Sequence, residues 1–267
     1  MVKFLPLLVC FVSLSAWSTD YAVGLEHSES ESRFGFGLKS RITIDTLDLS
    51  AYYDDFYISA YIPYAKLEGP AAIVGILPTR DRVLFSSNRV DNYLNAIVNS
   101  SVASVSNSEV SGLSDVTLSS GYYLNDSLFD NYLLTLSMDI KLDNGDEQKL
   151  LGTGSIDYTL KLDWQYYMND WTPSVTLGTV FVGDSELFDS RDYYYSQAGL
   201  YYTATETLTL GAGMYLGFLK NDTDIKQLEY SLSYQFNESG TINLSYQNGL
   251  SNTAIDSGWS LAFYGYF

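Results

Sequence analysis

The chain has 267 residues, with 14 Lys and Arg against 32 Asp and Glu and a formal net charge of -18 at pH 7. So acidic a surface repels phosphate backbones and excludes a nucleic-acid partner. One cysteine, Cys10, and one histidine, His27, exclude a disulfide framework and a thiolate metal site, and leave little for histidine-based catalysis.

Residues 1–18 read as an export signal, with Lys3 as a positive start, Phe4 to Leu14 as an apolar core, and Ala16 and Ser18 as the small residues that signal peptidase reads. Cys10 follows Val9, where lipidation would need a small residue. Residues 19–267 then form a single domain, in which no apolar run reaches the roughly 18 residues of a spanning helix.

Tyr21–His27 is the predicted first strand, turning at Ser28–Ser32. The next are 33–45 and 55–68, followed by a long loop, 69–112, and by 113–124, 131–142, 155–168, 173–183, 191–203, 208–219, 226–236, 241–249 and 257–267. In 131–142 one face carries Tyr132, Leu134, Leu136, Met138, Ile140 and Leu142, and the other Asn131, Thr135, Ser137, Asp139 and Lys141. The same alternation in 155–168 sets Ile156, Leu160 and Trp164 against Asp157, Lys161 and Asp163. Soluble strands run to about 5 or 6 residues and tilted barrel strands need about 9–11, and the segments here, at about 10–14, match the second. Aromatic residues gather near segment ends, at Tyr122–Tyr123, Tyr166–Tyr167, Tyr193–Tyr195 and Tyr201–Tyr202, as in interfacial girdles. The fold class is therefore all-β, a transmembrane antiparallel up-and-down barrel of twelve strands in the outer membrane.

Short connections at 125–130, 168–172, 203–207 and 237–240 are expected on the periplasmic side, and the acidic ones at 143–154, 184–190, 220–225 and 250–256 outside. Loop 69–112, at about 44 residues, is of a length that is usually functional or disordered. It holds Arg80, Arg82 and Arg89. Folded into the lumen, these would face Asp115, Asp139, Asp157 and Asp163 and build a charged constriction. Folded outside, they would pair with lipopolysaccharide phosphates. The inward face also receives Lys39, Arg41, Lys141 and Lys161, which either line an aqueous path or close it as a satisfied network. Inward Tyr123, Tyr195 and Tyr215 would suit aromatic or sugar solutes.

His27 stands beside Ser28 with no further catalytic motif and reads as an exposed loop residue, so no enzyme is expected. The acidic runs 143–147 and 221–224 lack the spacing of a complete calcium loop, and no metal or cofactor is expected. At the C-terminus Trp259, Leu261, Phe263 and Phe267 share one face of a strand. This resembles the terminal signature by which barrels are recognised for insertion, although Gly265 stands where an aromatic is usual. The expected partners are outer-membrane lipid and lipopolysaccharide, the barrel-assembly machinery and a small-molecule solute.

The stretches YISAYIPYAKLEGP from Tyr57, SGLSDVTLSSGYYL from Ser111 and GTGSIDYTLKLDWQYYMNDWTPSVTLGTVFVGD from Gly152 resemble the outer-membrane transporter family named after the MetA pathway of phenol degradation. The elements that carry the resemblance are Pro63; Gly112, Asp115 and Leu118; Gly152, Gly154, Asp157 and Tyr158; and Gly183 with Asp184. Ser114 stands where members usually have a second glycine. The resemblance implies a barrel with a transport role and no established substrate. The expected function is passive diffusion of small solutes, hydrophobic or aromatic ones among them; the alternative is a closed barrel with a structural, adhesive or assembly role.

Overall fold

The structure, a computed structural model, describes residues 20–32, 39–69, 77–79, 82–84, 109–124, 131–146, 149, 151–184, 192–219, 224–251 and 254–267. Residues 1–18, expected to be an export signal, therefore lie outside the described residues, as do Arg80 and Arg89; of Arg82 only the backbone is described.

The strands are β1 (Asp20–Ser32), β2 (Ser40–Tyr53), β3 (Phe56–Glu68), β4 (Leu77–Thr79), β5 (Arg82–Leu84), β6 (Glu109–Leu113), β7 (Thr117–Leu124) and β8 (Tyr132–Lys141). After them come β9 (Asp157–Tyr166), β10 (Trp171–Phe181), β11 (Tyr193–Thr205), β12 (Leu208–Leu219), β13 (Ile225–Asn237), β14 (Gly240–Gly249) and β15 (Ser257–Tyr266). β4 and β5 form a small hairpin within the long loop. β6 and β7 both pair with β3 and make one wall strand, interrupted where Ser114, Asp115 and Val116 oppose only Ile62 and Pro63. Pro63 has no N–H to give a ladder, and a bulge opposite it avoids the missing bond. With β6 and β7 counted together, twelve antiparallel strands close when β1 pairs with β15 along Ala22↔Tyr266 to Glu31↔Ser257. Closure removes both sheet edges, which lipid could not satisfy.

Tight turns at one end agree with their residues. Asp54 and Asn169 have φ of 42° and 48°, the left-handed region that Asp and Asn enter more readily than other side chains. The outer face is apolar, with Leu25, Leu136 and Leu177 at 61%, 54% and 51% exposed, which only a lipid-facing position makes favourable. Each predicted aromatic cluster splits between the two faces. Tyr122, Tyr194 and Tyr202 point outward, while Tyr123, Tyr193, Tyr195 and Tyr201 share the parity of the inward positions.

Four expectations are corrected. Ser28–Ser32 is the upper part of β1, not a turn, and the second strand runs over Ser40–Tyr53 in place of 33–45. The loop after β3 ends before Glu109, so 109–112 belongs to the wall. Lys39 and Arg41 do not face the lumen: Arg41 is registered with Glu31 and Glu68 on the face of Leu25 and Leu47, while Ile42 is buried inside. At about 9–11 residues per crossing, the top of this 14-residue strand stands above the bilayer, where the outer face can be charged. There Glu31 binds Lys39 at 2.6 Å and Arg41 at 3.0 Å, and hydrogen bonds from these two cations hold its carboxyl below the ordinary range.

Candidate functional site in the barrel lumen

Residues opposed in the register share a face, so the wall can be read from pairings. Asp139 and Lys141 on β8 and Asp157, Lys161 and Asp163 on β9 all face inward, as alternation predicts. Lys161 Nζ lies 2.8 Å from Asp139 Oδ2, and Ser119 Oγ donates to Asp139 Oδ1 at 2.6 Å. Thr176 Oγ1 donates to Asp163 at 2.6 Å. Asp48 is buried and accepts from Ser50 Oγ at 3.0 Å. Asp20, Glu26 and Glu229 also occupy inward positions.

Asp115, at the bulge, organises a whole loop. Its carboxylate accepts from Lys141 Nζ at 2.9 Å, from the backbone N–H of Gly145 at 2.8 Å and from that of Thr153 at 3.0 Å. Lys141 in turn donates to the carbonyl of Ser155 at 2.7 Å and lies 3.3 Å from Asp157. Asp157 takes the N–H of Gly183 at 3.0 Å. A Cβ on Gly145 or Gly152 would stand 2.7 or 2.5 Å from the Asp115 carboxylate, so both positions need glycine. Leu151 and Thr153 are 2% and 0% exposed. Among the described residues of the connection 143–154, expected outside, Gly145 and Leu151 to Thr153 are therefore drawn onto the inner face of the wall. Buried donors and acceptors of a loop require partners, and Asp115 supplies them.

Elsewhere the inward tyrosines lie against the wall over glycines. A Cβ on Gly121 would overlap the Tyr57 ring, one on Gly178 the Tyr195 ring, and one on Gly211 the Tyr201 ring. Tyr195 stacks on Tyr215 at 5.5 Å, and Tyr57 packs on Tyr123 at 5.5 Å. Because the rings fold flat over residues without side chains, space is left inside: a cavity of about 460 Å³ opens among Tyr57, Tyr195, Tyr201, Asp163, Lys161 and Glu229. Above it Val180, Tyr193, Tyr215 and Ile225 pack with Ala254 of the last outer loop into an apolar cluster. Tyr57, Tyr201 and Glu229 were missed as site residues, although the period of two along β3, β11 and β13 assigns each of them inward.

His27 and Ser28 fall on opposite faces of β1. His27 Nδ1 lies 2.7 Å from Asp45 and its ring 5.3 Å from Trp259, whereas Ser28 Oγ donates to the carbonyl of Ile44. They cannot act together. Trp259, Leu261, Phe263 and Phe267 share the lipid-facing side of the last strand, and the backbones of Phe267 and Tyr21 exchange hydrogen bonds of 2.9 and 3.1 Å.

No family model matches the chain, and no curated protein matches it. Solved structures do resemble it. The COG4313 outer membrane channel from Pseudomonas putida F1 superposes with a TM-score of 0.63 at 15% identity, covering 94% of this chain and 95% of that one. The KdgM porin gives 0.55 at 10% identity over 91% and 98%, and the NanC porin 0.53 at 11% over 90% and 98%. At such identities the likeness is one of fold, and that fold is the antiparallel barrel of outer-membrane proteins.

Proposed function

We propose that the chain is an outer-membrane channel through which small solutes, aromatic or hydrophobic ones among them, diffuse passively. The observation that carries this is the cavity within a closed barrel, kept open because its tyrosines lie flat over glycines. A barrel of this size can be filled by side chains, and this one leaves about 460 Å³ unfilled. In this reading residues 1–18 direct export, the face of Trp259, Leu261, Phe263 and Phe267 guides insertion by the assembly machinery, and outer rim charges meet lipopolysaccharide. The long loop between β3 and β6, with Arg80, Arg82 and Arg89, would narrow the passage against Asp139, Lys161 and Asp163.

The second reading, a closed barrel with a structural role, is favoured by the latch of Asp115, Lys141 and Asp157 and by the apolar cluster above the cavity. Single-channel conductance of the refolded protein in planar bilayers separates them, recorded with and without residues 76–108. The channel reading expects steady conductance that rises on deletion. Silence in both forms would move the assignment to the closed barrel.

A further inference from the structure

Charge is distributed unevenly over the inner wall. At the described inward positions Asp20, Glu26, Asp48, Asp115 and Asp157 lie above, below or beside the cavity. Asp139, Asp163 and Glu229 line it directly. Against these eight carboxylates stand two ammonium groups, and both are held by acids: Lys141 by Asp115 and Asp157, Lys161 by Asp139. Even if Arg80, Arg82 and Arg89 all entered, acids would still be in excess. Carboxylates in a low-dielectric wall focus their field into the lumen and concentrate cations there. The second observation is aromatic. The rings of Tyr57, Tyr195, Tyr201 and Tyr215 border the same cavity, and tyrosine rings attract ammonium groups through their faces, more strongly where water is excluded.

From these two observations we infer that the lumen selects positively charged solutes and holds aromatic ammonium compounds in the cavity, the ring on the tyrosines and the ammonium toward Asp163 and Glu229. An anionic solute meets no inward lysine, among the described residues, that is not already bound to a carboxylate. This rests on the channel reading, but its test does not depend on conductance alone.

The first arm measures the reversal potential of the full-length barrel in a potassium chloride gradient. A potassium-to-chloride permeability ratio of about tenfold is expected, falling toward unity in the double variant Asp163→Asn with Glu229→Gln. Chloride preference would overturn the inference while leaving a channel. The second arm titrates the folded barrel in neutral detergent with 2-phenylethylammonium and with 3-phenylpropanoate, which share a ring and differ in charge, and reads tyrosine fluorescence or ligand NMR line width. Saturable binding of the ammonium compound alone, weakened several-fold in the double variant, supports the inference. Equal binding of both, or preference for the carboxylate, overturns it. A barrel that never conducts would remove the channel reading, and the titration would still decide the charge preference.

Discussion

Lys141 Nζ lies 2.9 Å from Asp115 Oδ2, and the two side chains are 7% and 0% exposed. A charge pair removed from water to this degree must be satisfied on every side, and here it is, by Thr153, Ser155, Asp157 and backbone amides. The pair joins the bulge between β6 and β7 to the end of β8 and to the loop that follows.

Removing one member should therefore loosen the loop as well as the wall. Lys141→Met leaves Asp115 and Asp157 buried together without a cation, at a cost of about 3–5 kcal/mol. Asp115→Asn keeps the shape but weakens every bond from Gly145, Thr153 and Lys141. Unfolding midpoints in urea and the rate of proteolysis within 142–156 give the readouts. The two effects should be strongly non-additive in the double variant; simple additivity would show that the residues do not act as a unit.

The glycine floor makes a separate prediction about the width of the passage. Gly178→Leu would lift the Tyr195 ring off the wall and into the cavity, and Gly121→Val would do the same to Tyr57. Neither alters charge. Conductance should fall in each, and the variant pairing Gly178→Leu with Tyr195→Ala should recover it. Unchanged conductance would mean that the cavity is not on the route.

At the outer rim the sign of a pH effect can be worked out. Hydrogen bonds from Lys39 and Arg41 lower the pKa of Glu31 below its ordinary 4.5. A depressed carboxyl stabilises the folded form fully above that ordinary value and loses the contribution as pH falls through its folded value. Amide protection factors at the outer ends of β1 and β2, corrected for the intrinsic exchange rate, should thus exceed those of Glu31→Gln by a constant margin between pH 8 and pH 5, and lose that margin only in more acidic buffer. The effect is small, since the group is partly exposed.

How much of this could be read from residues alone depended on where a strand meets lipid. For β8 and β9, apolar and polar positions contrast sharply, and Asp139, Lys141, Asp157, Lys161 and Asp163 were all assigned inward correctly. Above the bilayer both faces can be polar and the contrast vanishes. That is why Ser28–Ser32 read as a turn and Arg41 was put on the wrong face. There the isoleucine faces the packed interior and the arginine faces water. That Gly145 and Thr153 turn inward could not have been read from composition, because what draws them is one carboxylate at the bulge, some 30 residues before Gly145. A partial signal did exist. Pro63, Gly112, Asp115, Gly152, Asp157 and Gly183, scattered in the motif stretches, converge on the bulge and its latch, where spacing alone had given them no common purpose.

The seam between β1 and β15 also bears on how the molecule comes into being. Every other wall pairing joins neighbours along the wall, and ten of the twelve close across short connections with little loop entropy to overcome, while the pairing of β3 with β6 and β7 spans the long loop. The twelfth must wait until β15 has arrived, and it joins the most distant segments of the domain. A nascent or truncated chain lacking that strand would be an open sheet with two bare edges in lipid, each unpaired amide costing several kcal/mol. Commitment to the membrane is thus gated by the last strand, and the slow step of assembly should be the closing of that single seam.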